Sequence, residues 1–146
     1  MSAVVRRWND IAAWLERLIA MDLVQLLSRV GVASVFWLSG RTKVEGWLGV
    51  TDNAVGLFRD EYKLPLIDPG VAAHLAAWSE HLFPLLLVVG LGTRVSALAL
   101  LGMTLVIQFF VYPDAWATHL SWAAPLLLLV ARGAGAWSLD RRLGLA

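Results

Sequence analysis

The sequence contains no cysteine among its 146 residues, and only 16% of them are charged. Without cysteine, this chain alone forms no disulfide, thiolate nucleophile, iron–sulfur cluster or covalently attached haem. Soluble domains hold about 25% charged and about 45–50% apolar residues, whereas 59% of this chain is hydrophobic. Its basic residues form no patch interleaved with exposed aromatics, so nucleic acid is not an expected partner. The composition favours a membrane protein.

The hydrophobic residues are gathered in four runs rather than spread along the chain. Each run is long enough, or nearly so, to cross a hydrocarbon core of about 30 Å. We predict crossings at about 21–39, 71–90, 95–112 and 117–131, all within a single membrane domain covering 1–146. The fourth run is the shortest. Asp68 and Pro69 precede the second run in the order that suits a helix cap and a first helical residue.

Two further segments have apolar residues at roughly helical spacing. In the first, Trp8, Ile11, Leu15 and Leu18 predict an amphipathic helix over 8–20 that lies on the membrane surface. In the second, the loop 40–70, a surface helix is predicted from Trp47, Leu48, Val55, Phe58 and Tyr62. The expected fold is an all-α integral membrane bundle of four transmembrane helices, with an interfacial N-terminal helix and a periplasmic loop helix.

Lysine and arginine are unevenly divided between the two sides of such a bundle. An even number of crossings places both termini on one side, which would hold seven arginines: Arg6, Arg7, Arg17, Arg94, Arg132, Arg141 and Arg142. The other side would hold Arg41, Lys43, Arg59 and Lys63. Because positive residues near crossings stay in the cytoplasm, we predict a bacterial inner-membrane protein with both termini cytoplasmic.

Arg29 and Glu80 are charged residues inside the first and second predicted crossings. Counting from the start of each run places them at similar depth, which predicts one ion pair. Charges within a membrane are costly and usually face the bundle interior in pairs. The pair would be either a structural clasp or a functional group, and in the second case a proton relay or an anchor for a quinone or substrate head group.

The three histidines all fall toward the predicted periplasmic side. His74 and His81 are seven residues apart in the second run, and His119 begins the fourth. Neutral imidazoles bind divalent metals or pass protons, but no closely spaced ligand pair such as H-x-x-x-H occurs. His74, His81 and His119 are therefore metal candidates ranked below a quinone-like ligand.

Other polar and aromatic side chains are expected at the same depth in the membrane as the histidines. Pro84 and Pro125 each remove a helical hydrogen bond and free a carbonyl four residues earlier. These features suggest a polar pocket with six candidate residues: Arg29, Glu80, His81, Gln108, His119 and Trp122.

Several short motifs resemble the DoxX family of four-helix membrane proteins. They are Arg29, the segment 40–43, Glu80, the turn Gly90-Leu91-Gly92-Thr93-Arg94 and the closing pattern G-x-G-x-x-S-x-D at 133–140. The resemblance spans about 23–143. It implies a relation to a membrane subunit of a thiosulfate:quinone oxidoreductase, after which the family is named. The absence of cysteine argues against thiol oxidation by this chain.

Three functions remain open at this stage. The preferred one is a membrane subunit or anchor of a redox system, an oxidoreductase subunit rather than a complete enzyme, with a quinone-facing pocket. The others are a non-enzymatic anchor or assembly factor for a partner protein, and a metal-stress or transport protein that uses the histidines. The expected partners are membrane lipid and either another protein or further copies of this chain.

Overall fold

The computed structural model describes residues 2–145 and is helical apart from one small hairpin. The helices are α1 (Ala3–Leu18), α2 (Met21–Arg41), α3 (Asp52–Leu57), α4 (Pro69–Val89), α5 (Thr93–Val106), α6 (Trp116–Arg132) and α7 (Leu139–Arg142). Wider helical turns extend α3 through Phe58–Tyr62 and α5 through Ile107–Val111, and a 3₁₀ turn at Pro113–Ala115 precedes α6. Strands β1 (Val44–Glu45) and β2 (Gly49–Val50) pair antiparallel.

Three helical segments in the described part of the chain are long and apolar enough to cross a membrane: Met21–Arg41, Pro69–Val89 and Thr93–Val111. They coincide with the first three predicted crossings to within two residues. Helix α6 has the predicted position of the fourth, but with 17 residues it is shorter than the others. The protein therefore has an all-α architecture with several long apolar helices.

The four long helices form a closed ring in which α2 packs on α4, α4 on α5, α5 on α6, and α6 on α2. The buried residues between them form one apolar core: Val32, Ala33, Phe36, Leu87, Ala97, Leu100, Leu126 and Leu129. A second cluster, built on Phe58 and Ala73, packs the loop after α3 onto the first half of α4. The loop thereby covers one end of the bundle.

The boundaries of α4 follow the expected cap chemistry. The Asp68 carboxylate accepts hydrogen bonds from the backbone N–H groups of Gly70 and Val71, and Pro69 occupies the first helical position. Gly90 ends the helix with a φ of 71°, which a glycine adopts without strain. The chain then reverses directly into α5.

The loop 40–70 differs from its prediction. Trp47 and Leu48 lie at the tip of the hairpin rather than on a helix, and the helical part is restricted to Asp52–Tyr62. Glycines on both sides of this dipeptide explain the error, because Gly46 has a positive φ and Gly49 pairs in the hairpin. Trp47 and Leu48 therefore belong to the hairpin turn, although their spacing from Val55 and Phe58 suits a helix.

Helix α1 begins five residues before its predicted start, because Ser2 caps it by accepting a hydrogen bond from the N–H of Val5. Every residue from Val4 to Ala20 is exposed. Its exposed apolar side chains include Trp8, Ile11, Leu15 and Leu18. The predicted amphipathic helix is present, with its apolar stripe uncovered by the described chain.

Candidate functional site

The bundle has a polar cluster at each end. We call the end that carries β1 and β2 the hairpin end, and the end that carries residues 133–145 the tail end. At the hairpin end, Lys43 follows the last turn of α2, and its side chain extends back along that helix. Its Nζ donates to the carboxylate of Glu80 at 2.8 Å and to the hydroxyl and carbonyl oxygens of Ser39 at 3.0 and 3.2 Å.

Lys43 and Glu80 form a buried ion pair. Their side chains are 5% and 4% exposed. A buried pair of this kind adds little net stability, because the attraction between the charges is offset by the loss of their hydration. Ionisable groups inside membrane segments are for this reason treated first as functional candidates. One oxygen of Glu80 receives only a long 3.5 Å hydrogen bond from Ser39, so it has capacity to accept another.

An apolar cleft of about 190 Å³ lies beside Glu80, between α4, α5 and the loop that follows α3. The lining is Phe58, Tyr62, Leu64, Ile67, Ala72, Leu75, Ala76, Ser79, Glu80, Met103, Val106, Ile107 and Val111. Apolar walls with one or two polar groups are typical of small-molecule sites. The cleft can therefore hold an apolar ring or chain with a polar atom directed at Glu80.

Tyr62 lines this cleft, and the other tyrosine of the sequence, Tyr112, lies next to Tyr62. The Tyr112 hydroxyl donates to the carboxylate of Glu61, and this hydrogen bond raises the pKa of Tyr112 to about 12. The ring of Tyr62 lies 6.0 Å from that of Tyr112. Burial raises the pKa of Tyr62, and the carboxylates of Glu80 and Glu61 raise it further. Both phenols are therefore neutral hydrogen-bond donors at ordinary pH.

His81 follows Glu80 but faces a different surface of the bundle. Its Nδ1 lies 2.6 Å from the carbonyl oxygen of Ala77, and its ring is 4.9 Å from that of Trp37. The other ring nitrogen, Nε2, is buried and has no hydrogen-bond partner in the described chain. Gly40 lies against the ring, where a Cβ would come within 2.9 Å of His81 Cε1. Contact with the helix backbone thus fixes the orientation of the imidazole.

His119, Gln108 and Trp122 form a separate group between α5 and α6. The Nδ1 of His119 lies 2.7 Å from Oε1 of Gln108, whose amide nitrogen donates to the Pro113 carbonyl. The Trp122 ring lies 5.1 Å from His119 and 5.8 Å from Phe36. The polar side chains here satisfy one another across the wide turn that ends α5.

The predicted ion pair between Arg29 and Glu80 is wrong. Arg29 donates four hydrogen bonds to backbone carbonyls, those of Leu87, Val88, Ala134 and Trp137, at 2.6–3.1 Å. The neighbour of Glu80 on α2 is Gly40, eleven residues from Arg29, which corresponds to roughly 16 Å along the helix. Helices α2 and α4 are offset along their length, so counting from the start of each run misjudged the depth.

At the tail end, the turn 90–94 and the segment 133–140 are joined by side-chain hydrogen bonds. The Asp140 carboxylate accepts hydrogen bonds from the N–H groups of Gly92 and Thr93, at 2.7 and 2.9 Å, and so caps α5 from the far end of the chain. Gln25 donates to the carbonyls of Arg132 and Gly133. Together with the bonds of Arg29, these contacts hold the tail against α2 and the α4–α5 turn.

The six predicted site residues are therefore distributed over four places. Glu80 lies at the cleft, His81 on a neighbouring surface, and the trio of His119, Gln108 and Trp122 between α5 and α6, whereas Arg29 lies at the tail end. His74 is exposed. In the described part of the chain, no three His, Asp or Glu side chains come together as metal ligands.

Sequence reasoning missed three residues that matter at these sites. From the sequence, Lys43 is placed only among the outside charges and in the motif 40–43, although its spacing of four residues from Ser39 allows it to reach back along α2. Tyr62 was assigned to a surface helix, and Asp140 was noted only as part of a motif. A charged residue directly after an apolar run was the available signal for Lys43.

The comparisons with known proteins agree with this architecture. The sequence profile of the DoxX family matches residues 24–113. An uncharacterized protein of Haemophilus influenzae is 33% identical over 125 residues, covering 79% of this chain and 80% of the relative. No solved structure matches the chain. On the family profile and the bundle of apolar helices, this chain is a multi-pass membrane protein of the DoxX family.

Proposed function

We propose that the protein is a membrane subunit or anchor of a redox system and that the cleft beside Glu80 binds the head of a quinone-like carrier. The observation that carries this proposal is Glu80, buried and paired with Lys43, in the wall of a largely apolar cleft. A lipid-soluble ring with polar oxygens matches both features of that site.

The free acceptor capacity of Glu80 favours a ligand that brings a hydroxyl donor. All three ammonium protons of Lys43 are engaged, by Ser39 and Glu80, whereas the Glu80 oxygen bonded to Ser39 at 3.5 Å is weakly engaged. A quinol hydroxyl meets this requirement, because a carboxylate accepts a strong hydrogen bond from it. Any thiol chemistry would belong to a partner protein, since the chain has no cysteine.

We also propose four crossings in the bacterial inner membrane, with both termini cytoplasmic. The 17 residues of α6 rise about 26 Å, and the 3₁₀ turn before it adds about 6 Å, which together match a core of about 30 Å. The packing of α6 between α5 and α2 supports the same assignment. The arginine-rich side then holds the termini, as the positive-inside rule requires.

Quinone retention after purification tests the proposed site. The tagged protein is extracted into nanodiscs with native lipid, and the quinone bound per protein is measured by mass spectrometry. We expect bound quinone in the wild type, less in Glu80→Gln, and none in Ala76→Phe, which fills the cleft. Ala124→Phe, an exposed position on α6 outside the cleft, is the matched control and should retain quinone.

Two outcomes would contradict the proposal: a wild type that neither carries nor takes up quinone, or an Ala76→Phe variant that retains it fully. A bound redox enzyme, identified in the same sample, would separate the subunit function from quinone binding alone.

The exposed apolar stripe of α1 favours one alternative, a non-enzymatic anchor that recruits a protein partner. In that case replacing Trp8 and Ile11 by serine should release the partner, while Ala76→Phe should leave it bound. Co-purification of proteins with each variant distinguishes the two functions.

A further inference from the structure

A second pocket, distinct from the cleft beside Glu80, lies at the hairpin end. It has a volume of about 320 Å³ and is formed by the last turn of α2, the hairpin tip and one face of α4. Trp37 and Arg41 contribute from α2, Trp47 from the hairpin, and His81 and Leu85 from α4. We call it the Trp37–His81 pocket. It combines aromatic walls with a cation at the end of a candidate span.

His81 lines this pocket and carries an acceptor that no described residue satisfies. A carbonyl only accepts hydrogen bonds, so the 2.6 Å contact with Ala77 places a proton on Nδ1 of the imidazole. In the neutral form of the ring, the lone pair lies on Nε2, the nitrogen farther from the backbone. That atom is buried and without a partner among residues 2–145. A buried acceptor of this kind calls for a hydrogen-bond donor, because leaving it unpaired is costly.

Arg41 supplies a positive charge to the same pocket. It is the last residue of α2, is exposed, and forms no ion pair in the described part of the chain. A guanidinium binds phosphate through paired N–H donors. Trp37 and Trp47 are of the type that lies at the boundary between lipid and water. The pocket therefore offers an anion site, a hydrogen-bond acceptor and an interfacial setting together.

We propose that the Trp37–His81 pocket binds the head group of an anionic phospholipid that carries a free hydroxyl, such as phosphatidylglycerol. Its phosphate pairs with Arg41, and its glycerol hydroxyl donates to Nε2 of His81. An acyl chain continues along the apolar face of α4, where Leu82 and Leu85 are both more than half exposed. This continuous apolar surface favours a lipid over a soluble phosphate ester.

Native mass spectrometry of delipidated protein in detergent tests the assignment. The probe is phosphatidylglycerol, and the comparison lipid is phosphatidylethanol, an anionic phosphodiester without the hydroxyl. We expect the wild type to bind phosphatidylglycerol about tenfold more tightly, which is what one good hydrogen bond to a buried acceptor gives. His81→Asn keeps a donor for Ala77 but removes Nε2, and should abolish this preference. Arg41→Gln should weaken the binding of both lipids.

The chain offers a matched control for each variant. His74 makes the same kind of bond to the carbonyl four residues earlier, at 2.8 Å, but is exposed on the same helix outside the pocket. Arg59 is an exposed arginine near the same end of the bundle. His74→Asn and Arg59→Gln should bind both lipids as the wild type does.

Three results would overturn the proposal. They are equal affinity of the wild type for the two lipids, a preference that survives His81→Asn, and competition by free glycerol 3-phosphate at concentrations similar to those of the lipid. If His81→Asn does not fold, Arg41→Gln decides alone, since unchanged binding of phosphatidylglycerol at this exposed position contradicts the pairing with phosphate.

Discussion

The buried charges at the two ends of the bundle, Arg29 and Glu80, have different surroundings. At the tail end, the guanidinium of Arg29 is surrounded by backbone carbonyls from two separate segments, and the contacts leave no room beside it: a Cβ on Gly90 would come within 2.8 Å of the guanidinium. At the hairpin end, Glu80 has a single cationic partner and an open cleft next to it. Arg29 is thus enclosed by hydrogen bonds within the bundle, whereas Glu80 has open space beside it, as the proposed ligand site requires.

Replacing Arg29 should have the largest effect on stability. Arg29→Leu leaves four carbonyls without their charged donor and loosens the tail, so we expect a loss of about 4 kcal/mol or more in the free energy of unfolding. Unfolding in mixed micelles measures it. Arg17→Leu, at an exposed position on α1, serves as the control. A loss below about 1 kcal/mol at Arg29 would remove the contrast between the two ends.

The ion pair at the hairpin end should respond differently to single and double replacement. Lys43→Met alone strands a buried carboxylate and should cost about 3 kcal/mol, but Lys43→Met combined with Glu80→Met should return to within about 1 kcal/mol of the wild type. The same unfolding assay measures both variants. If the double variant is as unstable as the single one, the pair is structural and the two ends are alike.

Removing the cap that Asp140 provides for α5 should have an intermediate effect on the free energy of unfolding. Asp140→Ala removes the acceptor for two backbone N–H groups, and we expect a loss of about 1–2 kcal/mol together with faster proteolysis after residue 132. Asp10→Ala, in the exposed α1, is the control. A protected tail in Asp140→Ala would indicate that the hydrogen bonds of Arg29 and Gln25 are sufficient to hold it.

The smallest effect concerns Tyr112, beside the cleft residue Tyr62, at high pH. Because the hydrogen bond to Glu61 raises the pKa of Tyr112 to about 12, the neutral phenol stabilises the fold. This contribution is complete below the ordinary tyrosine pKa of about 10 and disappears as the pH rises through about 12. Titration of tyrosinate absorbance should show this phenol ionising late, and Glu61→Gln should lower its pKa. An unchanged titration in Glu61→Gln would exclude the hydrogen bond as the cause.

The sequence predicts the helices better than the contacts between them. Long apolar runs locate α2, α4 and α5, and Asp68 with Pro69 marks the start of α4, because these signals are local. The partner of Arg29 was not predictable in this way. It depends on the offset between two antiparallel helices, and the partners are carbonyl groups, which every residue possesses.

Part of the candidate site shows the same limit. Glu80 stood out as a charge within an apolar run, but pairing it with Lys43 required knowledge of how the chain leaves α2. His81 was selected for its residue type, whereas its unpaired Nε2 became visible only once Gly40 and Trp37 were placed around the ring. Individual candidate residues can be predicted from the sequence, but the contacts between them cannot.

The dependence of Arg29 on the tail has a consequence for biogenesis. The residues that receive its hydrogen bonds at Ala134 and Trp137 follow every long helix in the chain, so they leave the ribosome more than a hundred residues after Arg29. Until then part of the guanidinium remains unsatisfied, which should keep α2 near the lipid head groups or an insertion factor. Stable insertion of α2 would then require synthesis of the tail. Nascent chains stalled before residue 134 should therefore remain extractable from the membrane.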